Sequence, residues 1–144
     1  MTLVADVKTR IATVTGLRAV EEAADLSALI KAGQLPQQSP CAYVLPLGFN
    51  TGPSDAVTGL YRQAYEPVIG IVLVVQALDD AKGRKALATI DALEQLLFER
   101  MCGWAPDGAA GVFRALRGRL ISVADGLVIY QIEFALQDQL RIST

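Results

Sequence analysis

Three stretches hold the side chains that could do chemistry. "GFNTGPSDAVTG", Gly48 to Gly59, has the glycine content of a phosphate-binding loop. It lacks the GxxxxGK[ST] order, and no lysine stands where it would meet a phosphate, so it reads as a mobile surface loop. Asp79-Asp80 offers two carboxylates of the kind that hold a metal ion, but capping of the following helix and interaction with its dipole explain both more simply. "RALRGRL" gathers Arg114, Arg117 and Arg119, with Arg117 and Arg119 on one strand face. Such a basic ladder suits a solvated sheet edge, an acidic protein partner or nucleic acid, and the sequence leaves all three open.

The 144 residues include no histidine, which removes the commonest general base near neutral pH and the commonest metal ligand. A Ser-His-Asp or Cys-His arrangement is impossible, and the usual zinc sites lack ligands. Cys41 and Cys102 show no CxxC spacing, and both are expected to be small buried hydrophobes. A net charge of −2 and a pI near 5.1 argue against a protein whose main task is neutralising phosphates. Neither an enzyme nor a bound cofactor or metal is expected. No apolar run approaches the roughly 18 residues that span a bilayer, and "MTLVADVKTR" is not a signal peptide. The expectation is a chain that stays in the cytoplasm, away from membranes.

The elements that must position these residues follow from apolar spacing. Leu3, Val7 and Ile11 predict a helix over about 2–14, stopped by Gly16. "LRAVEEAA" is ambiguous and favours a short strand through Val20; Asp25 is the expected N-cap of a short helix ending at Gly33. Pro36 and Pro40 mark a connector, and "CAYVLPLG" reads as a strand with Pro46 at an edge or bulge. Turn residues fill Phe49 to Leu60, and a strand follows over about 61–77. Val68 to Val75 hardly alternates in polarity, so both its faces should be covered.

A long helix is expected over about 80–102, capped by Asp79 or Asp80, with Leu87, Ile90, Leu93, Leu97 and Met101 inward. Trp104 is expected to plug one end of the core. A closing hairpin turns at Asp125-Gly126, with Tyr130, Ile132, Phe134 and Leu136 inward and Gln131, Glu133 and Gln137 outward.

The expected fold is one α+β domain over residues 1–144. Its sheet is mostly antiparallel, of four to five strands, with helices packed on one face and a projecting hairpin or loop arm at about 49–67. A connection longer than about 12 residues without structure of its own is usually functional or disordered. An edge that offers unpaired backbone must be covered, and a closed ring of identical subunits covers it. Phe49, Asn50, Tyr61, Arg62, Gln63 and Tyr65 on the arm, with Arg117 and Arg119, are therefore the candidate contacts for self-assembly or for a partner.

The chain also resembles the phage tail terminator family of long-tailed phages and prophages, over nearly its whole length. The resemblance lies in "AADLSAL", "PCAYVLPLG", "TGLYRQAYEPVIGIVLVV", "DDAKGRKAL", "GWAPDG" and "RGRLISVADGLVIYQIEF", taken in order and spacing. It implies a non-enzymatic virion protein, assembled in the host cytoplasm, that forms a ring, usually of six subunits, on the head-proximal end of the tail tube. That ring would stop tube polymerisation and join the tail to the head connector, with DNA passing through its lumen unread. The implied partners are the chain itself, the tube protein and the head-completion or connector protein. A different head-tail joining component, a tube subunit and, remotely, an enzyme of unknown type are the alternatives.

Overall fold

The computed structural model describes residues 2–25, 31, 38–77, 83–124 and 126–143. Helix α1 spans Leu3–Ile11, with the Thr2 hydroxyl accepting from the Ala5 amide at 3.1 Å to cap its start. It stops short of the expected residue 14, although Val14 is still buried. Strand β1, Ala19–Glu22, pairs in parallel with the start of β2, Cys41–Val57. Residues 23–25 open a helix; residues 26–30 and 32–37 lie outside the described ones, and Lys31 is helical. Asp25 is not the N-cap. Its carboxylate reaches back to the Glu22 amide at 3.1 Å, the reciprocal half of a capping box.

Strand β3, Leu60–Gln76, returns antiparallel to β2 through the two-residue turn Thr58-Gly59. Gly59 sits at φ +91, a conformation that a side chain would strain. The expected loop from Phe49 is thus a strand as far as Val57. Its turn-forming residues are tolerated because the irregularities fall on them: register shifts lie between Pro46 and Gly48 and between Thr51 and Ser54. Gly52 and Pro53 fall inside the second shift, where the amide that proline lacks is not needed by the ladder.

Helix α2 spans Arg84–Met101. It begins after Gly83, at φ +69 and without a side-chain cap, later than expected; Asp79 and Asp80 lie outside the described residues. Its buried stripe is Ala86, Ile90, Leu93, Leu97 and Met101, while Leu87 is exposed. Strands β4, Phe113–Ala124, and β5, Leu127–Leu136, form the expected hairpin, with Gly126 at φ +75; Asp125 is outside the described residues. The final strand does not run straight to Leu140. Gln137 breaks it, its amide donating to the Val112 carbonyl, and β6, Asp138–Ser143, moves over to pair with Leu60–Tyr65 of β3. Past Phe113 there is no β4 partner left, whereas the distal edge of β3 is open, and β6 takes it.

The sheet therefore has six strands, in the order β1-β2-β3-β5-β4 with β6 beside the outer half of β3. It is mixed, antiparallel except for β1-β2. The α+β expectation holds, with one strand more than foreseen and one parallel pair. One face joins the helices in the main core: Val7 and Ile11 of α1 and the α2 stripe meet Val44, Ile71, Leu73, Ile132 and Phe134. The opposite face buries a smaller cluster of Cys41, Tyr43, Val72 and Val74. Val68 to Val75 is buried throughout, as its unbroken apolar character predicts. Burial raises both the Cys41 thiol and the Tyr43 phenol above their ordinary pKa values. Cys102, by contrast, is exposed at the end of α2. No helix among the described residues is long and apolar enough to cross a membrane.

Trp104 stacks on Phe113, with ring centroids 5.6 Å apart, and the Arg10 guanidinium lies 5.2 Å over its ring. This closes one end of the core, as expected, through a cation–π contact that no spacing pattern announces.

Candidate assembly surface

Beyond Val44, β2 has β3 on one side and no strand on the other among the described residues. The outer parts of β2 and β3 form a ribbon that β6 backs along residues 60–65. Six of the sequence-predicted contacts lie here, and the pairing brings them together. Phe49, 61% exposed, packs its ring against Tyr65 with centroids 5.2 Å apart. Asn50 stands opposite Glu66 in the register. The Tyr61 hydroxyl donates to Gln63 Oε1 at 2.7 Å, and Gln63 Nε2 donates to the Gly52 carbonyl at 3.2 Å across the second irregularity. Arg62 reaches Asp55 of the facing strand at 2.7 Å, both side chains largely in water. These bonds hold the ribbon in register and leave Phe49 outward, with Tyr65 half-buried beneath it.

Arg117 and Arg119 do not join that group. They lie on β4, separated from β3 by β5, and share a face as predicted: Arg117 is opposite Glu133 and Arg119 opposite Gln131. Glu133 is the residue whose exposure sequence reasoning got wrong. It points away from the helices, yet it is only 4% exposed, on a strand flanked by β3 and β4. Arg117 Nε donates to its carboxylate at 3.0 Å and Gln131 Nε2 donates at 3.2 Å. The Arg117 hydrogen bond is the main reason that Glu133 titrates below its ordinary value, and the same bond raises Arg117. Arg114, expected to share the basic ladder, instead pairs with Glu66 through two bonds of 3.3 Å. Gly118 is open for a separate reason: the Tyr130 hydroxyl crosses it, 2.7 Å from where a Cβ would stand.

At the root of the ribbon an open groove of about 810 Å3 runs between the start of α1, β2, β3 and residues 106–109. Val44, Ile69 and Leu136 give it an apolar floor and Phe49 stands at its side. No sequence pattern located it, because its walls come from six separated segments. Among the described residues no grouping of three or more cysteine, aspartate or glutamate side chains could hold a metal ion.

An open α+β sheet whose exposed features are a ribbon, an apolar groove and paired surface charges defines a protein of surfaces. Among the solved structures that share the fold is a chain of the "Virion of native gene transfer agent (GTA) particle", 15% identical, with a TM-score of 0.51 over 93% of this chain and 84% of that one. No curated protein sequence matches the chain. The family described as "Phage tail terminator protein" matches residues 2–144. The chain belongs to that family, and it is a phage tail structural protein, a component of a virion.

Proposed function

We propose that this protein closes the head-proximal end of the phage tail tube as a ring of identical subunits, six in the usual form of the family. The ring stops tube polymerisation and offers its other side to the head connector. It works by occupying a surface, with no catalytic step. The reading is supported by family membership over almost the whole chain, and the observation that carries it is the β2-β3 ribbon. Among the described residues that ribbon has an unpaired outer edge on β2 and an exposed Phe49 packed on a half-buried Tyr65, features that would invite uncontrolled pairing unless a defined neighbour covers them.

The ribbon meets the rim of the tube. Its tip, with Gly52, Pro53 and Gly59, is the part that adjusts as it seats, so some ordering entropy opposes ring closure away from a tube end. DNA passes through the lumen without base-specific contact.

The test is light scattering with negative-stain imaging of the purified protein, with and without tail tubes. Single rings, and tubes capped at one end that no longer elongate, are expected. Long cylinders of the protein alone would instead make it a tube subunit, and binding to capsid connectors but not to tubes would make it a neck component.

A further inference from the structure

We infer that the groove at the root of the ribbon receives strand β4 of a second copy, in a head-to-tail contact made by side chains and not by strand addition. The inference rests on the ring reading and names the surfaces that would build such a ring.

Two observations point to β4. Leu120, Ile121 and Val123 are 48%, 46% and 45% exposed, an apolar run that stays in water in the single chain. Among the described residues strand β4 is also an edge strand, with no strand on its outer side. Backbone pairing along that side is obstructed, because the register shifts between Ala115 and Arg117 and between Leu120 and Ser122, and three arginines stand on the strand. Its apolar side chains remain available.

The groove complements that strand in polarity and charge. Its lining side chains include four carboxylates, Asp6, Glu22, Asp107 and Asp138, and no lysine or arginine. Two of the four have local work: Glu22 lies 3.7 Å from Lys8, and Asp138 accepts from the Ala110 amide. Asp107 is exposed and forms no ion pair among the described residues. Strand β4 carries Arg114, Arg117 and Arg119 and no acidic residue. Arg114 and Arg117 are paired within the chain, whereas Arg119 forms no ion pair among the described residues. An apolar run flanked by a cation that forms no ion pair of its own thus complements an apolar floor rimmed by carboxylates. The donor strand and the receiving groove are different surfaces, so the contact is heterologous and closes into a ring when the rotation allows.

The test uses two exposed positions, each variant checked for folding by circular dichroism. Arg119→Glu and Asp107→Arg should each raise the concentration needed for ring formation by about tenfold, since each sets like charges together at every contact. Mixed in equal amounts the two should form rings again. An Arg119→Glu strand then meets an Asp107→Arg groove and an unaltered strand meets an unaltered groove, alternately around an even-numbered ring. Recovery on mixing is the expected result. If wild-type rings form and either variant assembles like wild type, or mixing restores nothing, this contact is overturned while the ring reading stands. If the wild type stays solitary with and without tail tubes, the ring reading falls and the contact falls with it.

Discussion

Glu133 is buried on a central strand, and its charge is tolerated there because Arg117 and Gln131 both donate to it. The pair is asymmetric: the Arg117 side chain is 68% exposed and that of Glu133 only 5%. The cost of breaking it therefore falls on the acid. Arg117→Ala should lower thermal stability clearly more than Arg114→Ala, because the first strands a carboxylate out of water and the second frees one at the surface. Glu133→Gln removes the charge but keeps an acceptor for Arg117, so it should cost about 1 kcal/mol, read from denaturant midpoints. The pH dependence follows in sign. Glu133 titrates lower in the folded chain than its ordinary 4.5, so its contribution is complete above that value. It is lost as pH falls through the depressed folded value, and a melting series from pH 6 down to about 3 should show a smaller loss in Glu133→Gln than in the wild type. Alternation along the last strand placed Glu133 on the correct face. What it could not say is that Arg117 of the neighbouring strand closes over the carboxylate, because that pairing is set by the strand register. Cys102 failed for the converse reason: a thiol reads as buried by type, and the helix phase that exposes it follows from where α2 ends.

At the scale of elements, the ribbon is where local signals and tertiary structure part. Gly52, Pro53 and Gly59 carry the dihedral preferences of turns, yet only Gly59 makes one. The other two sit in a register irregularity that a β3 partner with its own β6 neighbour can hold open. Residues 68–75 and the stripe of α2 were legible because burial on them is uniform or strictly periodic; Ala86 takes the place expected of Leu87 because, at roughly 100° per residue, it lies nearer the centre of the Ile90, Leu93, Leu97 and Met101 stripe. The contrast between core and ribbon can be measured. Leu97→Ala, in a fully buried position, should cost about 2–5 kcal/mol in a denaturant titration. Phe49→Ser should change stability by less than about 1 kcal/mol, since most of its ring is already in water. The same Phe49→Ser chain should fail to cap tail tubes in a length assay. Capping at the wild-type level would remove the ribbon from the tube contact.

For the whole molecule, the composition is unusually apolar for its size, 52% hydrophobic against 19% charged, and the described core does not absorb all of it. Phe49 and Val57 on the ribbon, Leu120, Ile121 and Val123 on β4, and Ile142 on β6 remain exposed along an open sheet with unclosed edges. A chain that finishes its burial on copies of itself gains stability by mass action, whereas a self-sufficient fold does not. Each tenfold rise in concentration above the assembly threshold adds about 1.4 kcal/mol per bound contact, which for a domain of this length raises the melting temperature by roughly 4 °C. The melting temperature of the wild type should therefore climb across a hundredfold concentration series, while Arg119→Glu should stay flat until much higher concentration. A flat wild-type series would mean that the exposed apolar residues wait for the tube or the connector, and that rings close only on a finished tail.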